Sequence, residues 1–312
     1  MPKRGQPGPN PLPSIVSAGA GYLVDRVVAT AAVLAISVML FGGFLGWILL
    51  GWFRQDACPR APAEIFVGIT YGCERLVPSL EGSGPLHWVR IDLSAPGIEL
   101  YVTPLDAEAL AAGWQYRMRW ISDVVRSERL AVAINGTLFA SGAKWRPRIP
   151  GDFARGAETL VANHVVSHVW EHTYLLWFDD GLTPHLEMTK PPRREELAKA
   201  KWGIGGQGIG LRDGQVWAGL RTEPDSRTAV AIDGPRRLLF MAVGENISPR
   251  LILQKLAGFG ARDGMLLDDG GSSTMAIGDH ATGVPAGTPA LAAGGRSRHI
   301  SASGRNRCVS SP

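Results

Sequence analysis

A long uncharged segment near the start of the chain limits most strongly how it can fold. From Val27 to Phe53, 27 consecutive residues carry no charge. About 20 apolar residues are enough for a helix to cross a bilayer, whereas the apolar region of a cleaved signal peptide is usually about 7–15 residues long. Helices in globular cores rarely run this far without a polar face. The segment therefore predicts an uncleaved transmembrane helix.

The basic residues before this segment predict its orientation. Lys3, Arg4 and Arg26 precede it, and a short leading tail with basic residues usually stays in the cytoplasm. We therefore expect a single-pass membrane protein with a cytoplasmic N-terminus and an extracytoplasmic domain. The expected organisation is a Pro- and Gly-rich cytoplasmic tail over 1–26, the anchor over 27–53, a linker over 54–84, the domain over 85–304 and a C-terminal tail over 305–312.

The charge of the chain argues against nucleic acid as a partner. The net charge is +4, and Lys3, Arg4 and Arg26 minus Asp25 account for +2 of it. Only +2 remains for the rest of the chain, which has no run of basic residues interleaved with aromatic ones. A content of 45% hydrophobic and 19% charged residues is also unlike that of a mainly disordered chain. We expect a folded domain that binds no nucleic acid.

The three cysteines leave the redox state open. Cys58 and Cys73 follow the apolar segment closely, and Cys308 lies near the end of the chain. Outside the cytoplasm a Cys58–Cys73 disulfide is chemically permitted, but the sequence does not choose the pairing, and three free thiols are equally compatible with it. The spacing does not resemble a zinc site.

Alternating apolar and polar residues, separated by turn residues, predict a sheet with many antiparallel neighbours. Three hairpins are expected, formed by LHWVRIDL with IELYVT, GIGLR with QVWAGL, and TAVAID with RRLLFMAV. Two helices are also expected, one capped by Ser122 and ending near Arg129, the other capped by Ser248 and ending near Gly258. The predicted fold class is α+β, a largely antiparallel mixed β-sheet with a few packed helices, preceded by the transmembrane helix.

Polar residues gather where two predicted buried strands end. LAVAI leads into Asn135-Gly136, and GMLL leads into the segment from Asp268 to Gly271. Ligand sites often lie at the carboxyl ends of strands, where loop N–H groups can hold an anion. Arg227 is a third candidate, because an arginine at the start of an apolar strand suits a phosphate or carboxylate. Taken singly, each feature is explained at least as well by a tight turn or a surface arginine.

Two further patterns carry less weight. The segment from Gly203 to Gly208 is glycine-rich, but a strand and a turn are expected after it, whereas a dinucleotide fingerprint opens a helix. His164, His168 and His172 recur every fourth residue, so they share one side of a helix or a strand. Three imidazoles could bind a metal, although the Val, Trp and Tyr residues around them favour half-buried packing.

Three motifs, taken in order, resemble one protein family. INGTLF, SRTAVAID and LLDDGGSSTM follow one another as in the phosphodiester glycosidase family, whose pattern is Asn-Gly-Gly-Phe-Phe, a Gly-rich stretch with a short hairpin, Arg-Thr-Ala, and Asp-Gly-Gly-Gly-Ser-Ser. The likeness covers roughly residues 85–304. Thr137, Leu138 and Asp269 depart from the pattern, and Asp269 adds a carboxylate where the family has glycine.

The resemblance implies that a carbohydrate phosphodiester is hydrolysed at the anomeric carbon of its sugar-1-phosphate. Arg227 would hold the phosphate, Asp268 would act as nucleophile, base or stabiliser, and Asn135 would orient a sugar hydroxyl or a phosphate oxygen. The sequence leaves open whether a divalent cation takes part. The implied site consists of catalytic Asp268, Arg227 and Asn135 and substrate-binding Gly136, Thr228, Asp269, Gly270, Gly271, Ser272, Ser273 and Arg298.

The expected function is therefore that of a membrane-anchored hydrolase acting on glycosyl phosphodiesters of the envelope or of an exopolysaccharide. Two other functional classes are compatible with the same residues. A tethered module could bind a polysaccharide without cleaving it, and the altered Asn-Gly motif is compatible with this. A metal-dependent phosphoesterase could cleave the P–O bond with Asp268, Asp269 and the three histidines.

Overall fold

The computed structural model describes residues 33, 36–43, 58–59, 61–142, 149–167, 173–189, 197–278, 285–287 and 300–304. The chain forms two compact units, Met1–Gln55 and Asp56–Pro312. In the first unit the described residues are helical. Most of the expected anchor over 27–53 lies outside the described residues. Among the residues that the structure describes, no helix is both long and apolar enough to cross a membrane.

The second unit consists mainly of strands, and three helices accompany them in its described part. The helices are α1 (Ala107–Ala111), α2 (Ile121–Glu128) and α3 (Pro249–Gly258). The strands are β1 (Ala63–Phe66), β2 (Ile69–Ser79), β3 (Gly82–Asp92), β4 (Ile98–Val102), β5 (Tyr116–Arg117), β6 (Val132–Ile134), β7 (Phe139–Ser141), β8 (Phe153–Gly156), β9 (Leu160–Ala162), β10 (Val165–Val166), β11 (Thr173–Phe178), β12 (Pro184–Thr189), β13 (Trp202–Gly206), β14 (Gly208–Arg212), β15 (Gln215–Val216), β16 (Asp225–Asp233), β17 (Leu238–Ile247), β18 (Asp263–Leu266), β19 (Met275–Gly278), β20 (Pro285–Gly287) and β21 (Ile300–Gly304).

These strands form four sheets. The largest has eight strands in the order β1-β2-β3-β17-β16-β18-β14-β15. Two sheets have five strands each, in the orders β10-β9-β13-β11-β12 and β20-β19-β6-β21-β4, and a small sheet has the order β5-β8-β7. Every strand pair within the described part of the chain is antiparallel. The α+β class is confirmed, and the expected mixture of parallel and antiparallel pairs is not found there.

The main core lies between the eight-stranded sheet and the two five-stranded sheets. Val89 and Met241 of the large sheet are fully buried together with Ile134 and Ile204 of the smaller ones. The opposite face of the large sheet packs on α3, and α2 covers the outer side of the sheet that contains β6. The result is a layered arrangement in which both faces of the large sheet are buried, which explains the long apolar runs in its central strands.

The N-terminus of α3 is fixed by its predicted cap. The Ser248 hydroxyl accepts a hydrogen bond from the Leu251 N–H at 3.0 Å and donates one to the Glu81 carboxylate at 2.9 Å. Arg250 also donates to Glu81 and lowers the pKa of this carboxyl below its usual value. The cap predicted at Ser248 is confirmed, and it ties the helix to the β2–β3 turn.

Two expectations about local structure are confirmed and two are wrong. The hairpins β14–β15 and β16–β17 form as predicted. However, β3 and β4 belong to different sheets, because the turn between them carries the chain from one layer to the next. The first predicted helix is not capped by Ser122, since it already begins at Ile121 with Trp120 at its N-cap.

The range 54–84, expected to be a linker, contains two strands of the large sheet. β1 and β2 lie within it, and β2 pairs with β3 along nearly its whole length. A disulfide joins Cys58 to Cys73 of β2, with Cα atoms 5.1 Å apart, within the usual range for such a bond. This crosslink fixes the start of the domain to its sheet.

Candidate active site

The side chain of Asn135 joins the three sequence motifs. It is fully buried directly after β6. Its amide nitrogen donates to the Asp268 carbonyl at 2.8 Å, and its amide oxygen accepts from the Thr228 hydroxyl at 2.5 Å and from the Thr274 N–H at 3.0 Å. Because these partners lie 93 to 139 residues further along the chain, this one side chain holds together segments that are distant in sequence.

Main-chain hydrogen bonds bring the same segments together. The Asp268 N–H donates to the Gly136 carbonyl at 3.0 Å, and the Leu267 N–H donates to the Thr228 carbonyl at 2.9 Å. β6 belongs to a five-stranded sheet, whereas β16 and β18 belong to the large sheet. The candidate site therefore lies where strand ends from two packed sheets meet.

The Arg227 side chain is held by the carboxylate of Asp269, the residue after Asp268. Its Nη1 donates to Asp269, and its side chain is only 8% exposed. After Asp269 the chain enters a 3-10 turn over Gly270–Ser272, where Gly270 has a φ of 64° that favours glycine. The Ser272 hydroxyl closes this turn by donating to the Asp269 carbonyl at 2.8 Å. The carboxylate that departs from the family pattern thus fixes the direction of the arginine.

Three buried polar atoms at this site have no hydrogen-bond partner within the described part of the chain. They are Oγ1 of Thr137, Nε of Arg227 and Oγ of Ser273, one from each sequence motif. Thr137 and Ser273 are fully buried and Arg227 is 6% exposed. Buried polar groups are nearly always hydrogen-bonded, and leaving one unpaired costs about 1–3 kcal/mol. Each of the three motifs therefore carries one buried polar atom without such a partner.

Glu158 is a second carboxyl group in this region, and the sequence motifs did not indicate it. It follows Ala157, whose N–H donates to the carbonyl of Leu138 at 2.7 Å. On its other side, the Thr159 carbonyl accepts from the Gly205 N–H at 2.7 Å. Burial raises the pKa of Glu158 to about 7. Near neutral pH this carboxyl can therefore either hold or release a proton, as an acid–base catalyst must.

The glycines before Gln207 let neighbouring chain segments approach closely. A Cβ on Gly205 would lie 2.6 Å from Cβ of Glu158, and one on Gly206 would lie 2.5 Å from the Leu266 carbonyl oxygen. Gln207 then donates from Nε2 to the Leu267 carbonyl at 2.7 Å. The glycine-rich stretch forms β13 and the start of β14, so its rejection as a dinucleotide motif agrees with the structure.

Asn135 has a structural role in addition to the role expected for it, which stays a prediction. Its side chain is fully buried and makes three hydrogen bonds, so it holds the loops together. The segments that carry Asp268 and Arg227 meet in the structure, and the catalytic roles assigned to these two residues stay predictions. Arg298 lies outside the described residues.

The histidine pattern gives no metal site in the described part of the chain. His164 pairs with Asp180 at 3.3 Å, while His168 and His172 lie outside the described residues. Within those residues, no group of three or more His, Cys, Asp or Glu side chains is placed to hold a metal ion.

Comparison with known proteins identifies the family. A sequence profile described as NAGPA, phosphodiester glycosidase, matches residues 128–302, more than half of the chain and all three motifs. The chain belongs to the phosphodiester glycosidase family. The predicted family is thus confirmed, and the family segment contains every residue of the candidate site.

Two solved structures have a fold similar to that of this chain. The zebrafish N-acetylglucosamine-1-phosphodiester alpha-N-acetylglucosaminidase catalytic domain, auto-inhibited by its pro-peptide, matches with a TM-score of 0.56 and 13% identity, over 83% of this chain and 93% of that one. A hypothetical protein from Synechocystis matches with a TM-score of 0.52 and 15% identity, over 79% and 64% of the two chains. No curated protein matches the chain significantly by sequence.

Proposed function

We propose that the protein hydrolyses glycosyl phosphodiesters by cleaving the bond between the anomeric carbon and the phosphate oxygen of a sugar-1-phosphate diester. The observation that carries this proposal is the convergence of the three motifs, in which Asn135 binds the Asp268 carbonyl and the Thr228 hydroxyl, and Asp269 binds Arg227. A phosphodiester is an anion with several acceptor oxygens, and the guanidinium of Arg227 suits such an anion. Membership of the phosphodiester glycosidase family supports the same reaction.

In this proposal Arg227 holds the phosphate and Asp268 faces the anomeric carbon. Asp269 pairs with Nη1 of Arg227, and other N–H groups of the guanidinium would donate to the phosphate oxygens. Donors fixed before the substrate arrives stabilise the charge that develops on the departing phosphate without reorganising. The Asp268 carboxylate stabilises the positive charge at the anomeric carbon or attacks that carbon.

Glu158 supplies the second carboxyl of the proposed reaction. Glycosidases use two carboxyl groups whose surroundings give them different protonation states. Because burial raises the pKa of Glu158 to about 7, its ionised form is populated near neutral pH and can accept a proton from water. The departing phosphate is a weak base and needs little help, so we assign Glu158 mainly to activating the incoming water.

We further propose that this reaction takes place outside the cytoplasm, on envelope or exopolysaccharide material. The 27 uncharged residues from Val27 to Phe53 support a membrane anchor. The disulfide between Cys58 and Cys73 supports an oxidising compartment, because such bonds rarely persist in the cytosol. The domain would then meet glycosyl phosphodiesters near the membrane surface.

The position of bond cleavage tests the proposed reaction. The full-length protein in detergent is incubated in ¹⁸O-labelled water with an aryl glycosyl phosphodiester, with and without a chelator. Cleavage at the anomeric carbon places ¹⁸O in the released sugar. Labelled phosphate together with loss of turnover in chelator would instead identify a metal-dependent phosphoesterase. Binding of the diester without any product would indicate a binding module.

A further inference from the structure

An ion pair inside the candidate active site limits the charge that the site offers to a ligand. The Arg227 side chain is 8% exposed, and it donates from Nη1 to Asp269, whose side chain is 29% exposed. The backbone of Asp269 is extended, a conformation that any residue adopts, so the conformation does not require aspartate here. The carboxylate therefore has its effect through its charge and through its contact with Arg227.

Asp269 cancels the charge that would otherwise attract an anion to Arg227. Together the carboxylate and the guanidinium have no net charge, and the pair lies largely out of solvent. Charges interact more strongly in such surroundings than in bulk water, because solvent screens them less. An anion near Arg227 is attracted by the guanidinium and repelled by Asp269, and each effect grows in proportion to the charge of the anion. Removing the carboxylate therefore favours a doubly charged ligand more than a singly charged one.

The substrate and one product of the proposed reaction differ in charge, and the inference rests on that proposed function. Water adds its hydroxyl group to the anomeric carbon, the bond from that carbon to the phosphate oxygen breaks, and the remaining proton passes to the phosphate or to solvent. The diester carries one negative charge. The phosphomonoester that leaves has a second pKa of about 6 and carries nearly two negative charges at neutral pH.

We propose that Asp269 determines which phosphate esters the site retains, by favouring the singly charged diester over the doubly charged monoester. While Asp269 shares the guanidinium, Arg227 offers a phosphate its remaining N–H donors but no net positive charge. A diester binds through these donors. When the bond breaks and the second negative charge appears, repulsion by Asp269 increases and the monoester is released more readily. Asp269 is then a specificity-determining residue that acts through its charge on the phosphate group.

Two small probes that differ mainly in charge test this role. At about pH 8, methyl phosphate carries about two negative charges, whereas dimethyl phosphate carries one. Their binding to the full-length protein in detergent is measured by calorimetry. Wild type should bind dimethyl phosphate at least as tightly as methyl phosphate. Asp269→Asn keeps an oxygen that can accept from Arg227 but removes the charge, so it should tighten methyl phosphate about 10-fold more than dimethyl phosphate.

The ratio of the two dissociation constants separates charge from structure. A shift in the position of Arg227 changes the binding of both probes alike and leaves the ratio unchanged. Asp269→Glu keeps the charge and should leave the ratio within about 2-fold of wild type, as should Asp180→Asn, whose carboxylate is 70% exposed. If Asp269→Asn does not fold, Asp269→Ser removes the same charge and gives the same comparison.

The outcomes for Asp269 and for the proposed function are distinguishable. The role of Asp269 would be overturned by an unchanged ratio in the variants that lack the carboxylate, by tighter binding of methyl phosphate to wild type, or by failure of every protein to bind either probe. If the ratio shifts as expected but no protein releases sugar from a glycosyl phosphodiester, the proposed function fails and Asp269 keeps its role in selecting anions. If sugar is released, added methyl phosphate should inhibit Asp269→Asn more strongly than wild type.

Discussion

Replacing Asn135 should reveal how the candidate active site is held together. The Asn135→Ala variant removes one donor and one acceptor from a fully buried position. The Asp268 carbonyl, the Thr228 hydroxyl and the Thr274 N–H each lose the hydrogen bond that Asn135 makes with them. No solvent reaches the side chain to replace these bonds, so the variant should be strongly destabilised.

The size of the effect follows from the number of groups left unpaired. Losing the partner of a buried polar group costs about 1–3 kcal/mol, so three such losses give roughly 3–9 kcal/mol. The matched variant Thr228→Val removes only one of these hydrogen bonds, and the Asn135 oxygen keeps the Thr274 N–H as a donor. We expect Thr228→Val to cost about 1 kcal/mol.

Urea unfolding of the full-length protein, followed by tryptophan fluorescence, measures both values. Asn135→Leu serves as a second control, because leucine fills the space of asparagine without making hydrogen bonds. It should be nearly as unstable as Asn135→Ala. The account of the network would be refuted if Asn135→Ala cost no more than Thr228→Val, or if Asn135→Leu restored wild-type stability, since a cavity would then explain the loss.

Four other variants or conditions test separate parts of the structure. The folded state raises the pKa of Glu158 from 4.5 to about 7, because the fold favours the protonated carboxyl. The stability that this protonated carboxyl contributes is fully present below about pH 4.5 and is lost as the pH rises through 7. At pH 8, Glu158→Gln should therefore be about 1–2 kcal/mol more stable than wild type, a value reduced because the side chain is partly in contact with solvent. At pH 4 the two proteins should be equally stable, as measured by urea unfolding. Gly206→Ala should lower the melting temperature in a thermal scan, because its Cβ would overlap a backbone carbonyl at 2.5 Å. Ser248→Ala should cost about 1 kcal/mol in urea unfolding through loss of the α3 cap, and Ser248→Thr much less. Reduction of the Cys58–Cys73 disulfide, which spans 15 residues, should lower the free energy of unfolding by about 3 kcal/mol, as measured by urea unfolding with and without reductant.

Local patterns predicted the elements that depend on neighbouring residues. Ser248 and Pro249 set the start of α3, and the turn at Asp213 and Gly214 sets the β14–β15 hairpin. The fold class followed from several such elements. The pairing of LHWVRIDL with IELYVT was wrong because alternation predicts a strand but not the sheet it joins, and packing between layers decides that choice.

The candidate site was predictable only where its residues form motifs. Asp268 and Arg227 were found through motif order, but the burial of Asn135 arises from partners more than 90 residues away, which no local pattern encodes. Glu158 had no sequence signal at all. Its raised pKa results from burial by the surrounding fold. A glutamate in an exposed surface loop could have the same local sequence, so the sequence does not reveal this burial.

The most direct test of the central claim is the turnover of Asp268→Asn. Full-length wild type, Asp268→Asn and the matched variant Asp180→Asn, whose carboxylate is 70% exposed, are compared for release of free sugar from a glycosyl phosphodiester. We predict that kcat falls by about 10²–10³-fold in Asp268→Asn, with the fold retained, and stays at the wild-type value in Asp180→Asn. Full activity in a folded Asp268→Asn variant would contradict the assignment of the active site.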